Sequence, residues 1–561
     1  MKKTVRIAAL LSFALAGLEA RSQGYTPPNR LAERLRTLAN AHRADASLQS
    51  LAKSPGGNDL WVLTLSRGGN AATKPALALV AGVDGTHLTG TELALQLADR
   101  FLNGPDSLRR LLDTRTVYIL PSVNPDASAQ AFANLKWERT GNARPTDDDR
   151  DGRLDEDGPE DLNGDGLITT LRVEDPTGQY MISKTDPRLL VKADPTKGEQ
   201  GRYRLLTEGI DNDKDGQFNE DGPGGINLNR NFTYDYEPFK PGTGEFPASE
   251  TENRALMDWL YATPNVYAVV TFGPSNNLTE PNKFDKQKTS QRIIKGWLEK
   301  DAAVNEQVSK LYTAAGLKDA PSLPGQRGDF PQWVYFHFGK LSFSTPGWWV
   351  PKAEAAKDTA KTAARPATLP AGGRPGGDAK PAEGADEAAF LKWAGTANVT
   401  AFVDWKAVNH PDFPAQKVEV GGLVPFAKLN PPVAQLTDVV NRHAGFLVNL
   451  GNAMPQLELV NVKTEAVSPG LTRITADLHN RGLLPTQAEL AERVRYQPKI
   501  KVTLGVGTNQ KIVSGRNVQL LRETIPGNGV VPLSWLVSGA GSVTIEAGAA
   551  ASGTARTTVK L

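Results

Sequence analysis

Short apolar runs alternate with stretches of helical spacing over the first 350 residues. Leu60 to Thr64, Ala76 to Val80, Val117 to Leu120 and Val266 to Phe272 are near-continuous hydrophobic segments of strand length, and Lys340 to Phe343 also reads as a strand. Thr91 to Leu112, Ser249 to Tyr261 and Gln291 to Ala315 instead repeat apolar residues at helical intervals. This alternation predicts an α/β fold, with a mixed, mainly parallel sheet flanked by helices over residues 23–350. An acidic insert occupies residues 134–225. Residues 351–389 are a low-complexity linker or loop of Ala, Pro, Gly, Lys and Asp, with too little apolar content to bury. Residues 390–456 read as a helical extension of the α/β domain. From 457 to 561 the period changes to two, as in Arg473-Ile-Thr-Ala-Asp-Leu478 and Lys499-Ile-Lys-Val-Thr-Leu504, which predicts a C-terminal all-β sandwich.

Composition narrows the functional classes. The 561 residues carry 64 Lys and Arg against 62 Asp and Glu, so no basic excess points to nucleic acid. Residues 1–22 read as a signal peptide: Lys2, Lys3 and Arg6 precede the apolar run Ile7 to Leu18, and Ala20 and Ser22 offer cleavage points. That run is too short to span a bilayer. Export to the periplasm or the extracellular space follows, with no membrane span after leader removal. The chain has no cysteine, which excludes disulfides, thiolate metal sites and cysteine nucleophiles. Oligomeric state is not legible.

Four segments in order resemble the zinc metallocarboxypeptidase family, of carboxypeptidase A type. They are Ala81-Gly-Val-Asp-Gly-Thr-His-Leu-Thr-Gly-Thr-Glu-Leu93, Pro121-Ser-Val-Asn-Pro-Asp126, Asn227-Leu-Asn-Arg-Asn-Phe232, and the run from Gly328 through Trp333, Tyr335 and Gly339 to Trp349. The resemblance implies a zinc ion held by a His-x-x-Glu turn and a distant His, with one position open for water. In this register the two turn ligands become Asp84 and His87, and the third ligand position is Gly273, which has no donor. The family's general base falls at Pro346, and no carboxylate lies between Lys340 and Lys352. Its mobile Tyr falls at Pro324. Among substrate-binding positions, Asn229 and Arg230 match the pair that clamps a peptide's terminal carboxylate, and Arg139 is the candidate for the carbonyl-polarising Arg. A guanidinium fork can hold a carboxylate without a metal.

The insert adds a second metal question. Asp147, Asp149 and Asp151, then Asp161, Asn163 and Asp165, then Asp211, Asp213 and Asp215 each precede a Gly in the Asp-x-Asp/Asn-x-Asp-Gly spacing that wraps oxygen ligands around calcium. The twelfth position is not Glu in any of them, being Gly158, Arg172 and Gly222; Asp155 stands near the end of the first loop as a substitute ligand. Calcium is therefore the expected cofactor, and zinc a degenerate one. The leading reading is a secreted non-catalytic binder of peptide or another carboxylate-bearing ligand. One alternative is an active metallocarboxypeptidase with a rearranged site using Asp84, His87 and a donor such as Asn276 or His337. The other is a structural or adhesive protein acting through the β-sandwich.

Overall fold

The computed structural model describes residues 24–147, 152–155, 157–214, 216, 218–219, 224–321, 325–351, 384–494 and 497–561. The expected leader, Pro324, most of the low-complexity stretch and the candidate calcium ligands Asp149, Asp151 and Asp215 lie outside the described residues. In chain order the main elements begin α1 (Pro28–Ala41), β1 (Ala46–Lys53), β2 (Asp59–Leu65), β3 (Ala76–Ala81), α2 (Leu88–Asn103) and β4 (Thr116–Leu120). The insert supplies β5 (Thr170–Glu174), β6 (Tyr180–Ile182), β7 (Leu190–Lys192) and β8 (Tyr203–Thr207). Then come α3 (Thr251–Ala262), β9 (Val266–Phe272), α4 (Glu299–Ala314), α5 (Phe330–Phe336) and β10 (Leu341–Thr345). The remainder is α6 (Ala385–Thr396), β11 (Phe402–Val408), β12 (Val418–Leu423), α7 (Leu436–Ala453), β13 (Leu457–Ser468), β14 (Leu471–Asn480), β15 (Lys501–Gly505), β16 (Lys511–Ser514), β17 (Val518–Leu520), β18 (Val530–Ser538), β19 (Ser542–Ala549) and β20 (Gly553–Lys560).

The chain divides into two compact units. The first holds a six-stranded sheet in the order β1-β2-β4-β3-β9-β10. Strands β4, β3, β9 and β10 are parallel, and β1 and β2 add an antiparallel edge. Every residue of β3, β4, β9 and β10 is buried; β3, β4 and β9 accordingly read as near-continuous apolar runs, while β10 alternates Leu and Phe with Ser. One sheet face packs Ala78, Val80, Leu120 and Val269 against Leu256, Leu260, Phe330 and Trp333 from α3 and α5. The same unit includes the C-terminal region, where two four-stranded antiparallel sheets, β13-β14-β18-β16 and β17-β15-β19-β20, enclose Ile474, Leu478, Val502, Trp535 and Ile545.

The second unit comprises residues 157–220 and 349–428. It is an antiparallel sheet in the order β11-β12-β5-β8-β6-β7, closed around Leu171, Val173, Phe413 and Val420. Here the helical reading of 390–456 is corrected. Only α6 and α7 are helical; Phe402–Val408 and Val418–Leu423 are strands because β5 of the insert pairs with β12. Residues 390–428 thus fold with the acidic insert, and the chain returns to the α/β unit from Leu429. Two helices are also shorter than expected. The first stops at Asn103 before Gly104-Pro105, since a residue preceding Pro is driven out of the helical region. The other begins at Glu299. Among the described residues no helix is long and apolar enough to cross a membrane.

Candidate functional site

The turn that follows β3 carries the first two candidate ligands. Gly82 takes φ +64°, and a Cβ at Gly85 would stand 2.2 Å from the Ala127 Cβ, so this turn is pressed against the helix that starts at Pro125. Asp84 uses its own turn: Oδ1 accepts from Thr86 N at 3.2 Å and from Thr86 Oγ1 at 2.7 Å. His87 stands at the N-terminus of α2 and is 1% exposed. Its Nε2 donates to the Pro346 carbonyl at 3.0 Å, while Nδ1 is buried without a hydrogen-bond partner. Burial pushes the His87 pKa below its ordinary value, with nearby Asp84 opposing the shift. The ring is therefore neutral, and its one proton sits on Nε2 facing the carbonyl.

The position expected for the general base is a tightly tied loop after β10. Pro346 O accepts from His87 and also from Trp348 N at 2.8 Å. The next carbonyl, Gly347 O, accepts from His443 Nε2 at 2.9 Å. Gly347 N donates to Thr345 Oγ1, which also bonds Tyr312 Oη at 2.6 Å. His443 projects from α7, and burial lowers its pKa to about 4. Two neutral imidazoles from distant parts of the chain thus hold consecutive carbonyls. His443 was missed in the sequence, where it is a single histidine on the apolar face of a helix. The expected third-ligand position, Gly273, donates its N–H to Thr345 O at 3.1 Å and adds no side chain; a Cβ there would meet nothing nearer than Thr271 Cγ2 at 3.9 Å.

The candidate substrate residues each have hydrogen-bond partners of their own. Asn229 Oδ1 accepts from Phe330 N at 3.1 Å, fixing the start of α5. Arg230 donates to Pro241 O at 3.1 Å and stands 4.0 Å from Glu237, with its side chain 29% exposed. Arg139 spends its guanidinium on the Gly141 and Asn142 carbonyls. His337 Nδ1 bonds Thr233 Oγ1 at 2.8 Å, and Asn276 caps its own loop by accepting from Leu278 N and Thr279 N.

In the acidic loops the first Asp folds back on the Gly at the sixth position. Gly152 N donates to Asp147 Oδ2 at 3.2 Å, Gly166 N to Asp161 Oδ2 at 2.8 Å, and Gly216 N to Asp211 Oδ2 at 3.0 Å. Asn163 and Asp165 accept from backbone N–H groups of their own loop. Asp155 takes φ +57° and accepts from Thr146 N. Asp213 sits within the third loop. Among the described residues no group of three or more His, Cys, Asp or Glu side chains is placed to hold a metal ion.

Zinc does not fit the first set: one carboxylate is engaged with its own turn, one imidazole is bonded to a carbonyl, and the third position is a glycine.

Residues 31–167 match the family model for zinc carboxypeptidases, and residues 456–560 match a domain of unknown function, DUF8731. Carboxypeptidase D of Rattus norvegicus is 33% identical over 129 residues, which is 22% of this chain and 9% of that protein. Carboxypeptidase Z of Rattus norvegicus is 32% identical over 94 residues, 16% of this chain and 14% of that protein. The chain therefore spans well under a quarter of the length of either. Among solved structures, carboxypeptidase A from Helicoverpa armigera aligns with a TM-score of 0.35 and 12% identity, over 58% of this chain and 64% of the other. Residues 31–167 of this α/β region are thus similar to the zinc carboxypeptidase family.

Proposed function

We propose that this chain is an exported carboxypeptidase-like protein that binds peptides or other carboxylate-bearing ligands without cleaving them. The observation that carries the reading is the bond from His87 Nε2 to the Pro346 carbonyl. It joins the family's ligand turn directly to the position of its base. Metal-assisted hydrolysis needs three protein donors around an open coordination position and a carboxylate able to take a proton from the attacking water. Asp84 and His87 are committed elsewhere, Gly273 has no donor, and Pro346 has no proton-accepting side chain. Arg230 keeps a partly exposed guanidinium, the group suited to a terminal carboxylate.

Calcium belongs to the same proposal as a structural ion of the acidic loops. It is supported by the repeated Asp-x-Asp/Asn-x-Asp-Gly spacing and by the bond from the sixth-position Gly N to the first Asp that all three loops share.

Metal analysis of the purified protein, paired with an assay of C-terminal residue release from a peptide pool, tests both statements. The expected result is no stoichiometric zinc, no EDTA-sensitive release, and a thermal midpoint that calcium raises and EGTA lowers. Stoichiometric zinc with EDTA-sensitive release would overturn the non-catalytic reading. A midpoint indifferent to calcium would remove the structural ion.

A further inference from the structure

A cavity of about 740 Å³ opens where the loop after β9 meets the end of β10. Its floor includes Ser275, Asn276, Asn277 and Ser344, so it lies at the carboxyl ends of two parallel strands, where open α/β sheets place ligands. That floor is rigid. The Asn277 side chain accepts from Ser344 N and donates to Ser342 O, both at 2.8 Å, and Asn277 N donates to Ser344 O at 3.1 Å. One wall is Trp297, buried and stacked on Tyr335 with ring centroids 4.1 Å apart.

The rim is cationic. Lys283, Lys286, Lys288 and Lys295 all line the cavity and all are exposed. Two carboxylates oppose them. Asp285 caps the turn that follows, accepting from Gln287 N at 2.9 Å and Lys288 N at 3.2 Å, and reaches Lys288 only at 3.9 Å. Asp329 is 1% exposed and accepts from Gln332 N at 2.9 Å as the cap of α5; burial pushes its pKa up to about 6. Among the described residues no carboxylate lies within 4.0 Å of the ammonium groups of Lys283, Lys286 or Lys295. Four ammonium groups around one concavity repel one another and concentrate anions from solution.

From this juxtaposition of cavity and lysines we infer that the pocket takes the side-chain carboxylates of an acidic peptide. The inference rests on the reading that the α/β unit binds peptides, and it adds their chemical class. Lysine supplies a compact charge on a flexible stem, so four of them can follow several carboxylates without a fixed fork geometry. The cavity volume is in the range of small-ligand sites and accommodates about two or three residues.

Calorimetric titration of the full chain with triglutamate and with triglutamine tests this, because both peptides carry the same terminal carboxylate. Triglutamate is expected to bind about tenfold tighter at low salt, as several weak exposed ion pairs together supply, with the preference fading as salt is added. The combined substitution Lys283→Gln, Lys286→Gln, Lys288→Gln and Lys295→Gln should abolish the preference while leaving the circular dichroism spectrum unchanged. If the combined variant does not fold, Lys283→Gln with Lys295→Gln alone should at least halve the preference. Equal affinity for the two peptides in the parent overturns the inference but leaves peptide binding standing, whereas binding of neither removes both. A preference that survives the lysine substitutions, or competition by inorganic phosphate at the same concentration as triglutamate, also overturns it.

Discussion

Glu252 shows how much a single buried carboxyl can govern. It is fully buried near the start of α3; Oε1 accepts from Asn142 Nδ2 at 3.1 Å and Oε2 has no partner. Burial, with Asp126 and Glu250 adding to it, pushes its pKa up to about 7 from 4.5. A folded-state pKa above the unfolded value means that the fold favours the protonated acid. The associated stability is fully present below about pH 4.5 and is lost as the pH rises through 7. Glu252→Gln, a permanent mimic of the neutral acid, should match the parent near pH 4.5 and exceed it at pH 8 by on the order of 2 kcal/mol in urea unfolding. A parent that is the more stable of the two at pH 8 would refute this account. At the same scale, Asp84 and His87 were legible as candidate ligands because a register of neighbouring residues placed them. The bond from Asp84 to Thr86 is a local turn two residues long, but the bond from His87 to Pro346 was not legible, because a contact between residues 259 positions apart leaves no local pattern.

At the scale of elements, the turn between β3 and α2 is wedged more tightly than its sequence suggests. A methyl group at Gly85 would overlap the Ala127 side chain and crowd Ser128 N at 3.1 Å. Gly85→Ala should therefore cost about 2 kcal/mol through overpacking, read as a lowered thermal midpoint. An unchanged midpoint would show that the turn can move away from the helix at Pro125. The strands β3, β4 and β9 were readable because burial on both faces favours near-continuous apolar residues. Strand β1 was not, since its positions are half-buried or exposed and its Ser, Gln and Lys obscure the alternation. Strands β11 and β12 were mistaken for helix for a related reason: β11 pairs with β12, and the other partner of β12, β5, lies more than two hundred residues earlier, in the acidic insert.

Over the whole chain, the C-terminal sheets are joined to the α/β sheet through polar contacts that are costly to leave unmade. Asp301 on α4 is 1% exposed and accepts from Glu489 N at 2.7 Å, Leu490 N at 3.1 Å and Tyr335 Oη at 2.8 Å. Asp301→Ala should destabilise the protein by about 3 kcal/mol, because two buried N–H groups and a tyrosine hydroxyl lose their acceptor. Chemical denaturation, together with limited proteolysis between residues 454 and 490, would register the loosened junction. A variant as stable and as resistant as the parent would show that the carboxylate is dispensable there. What the chain determined by itself was its division into strand-helix alternation, acidic insert and period-two tail, because local periodicity is written in neighbouring residues. It also showed that position 273 carries no side-chain donor and that no carboxylate lies between Lys340 and Lys352, since side-chain chemistry needs no coordinates. Only the tertiary structure decided that the insert pairs with Val418–Leu423, that His87 and His443 fasten the loop at Pro346 and Gly347, and that four lysines ring one cavity. Each of those depends on segments far apart along the chain coming into contact, and only packing selects such contacts.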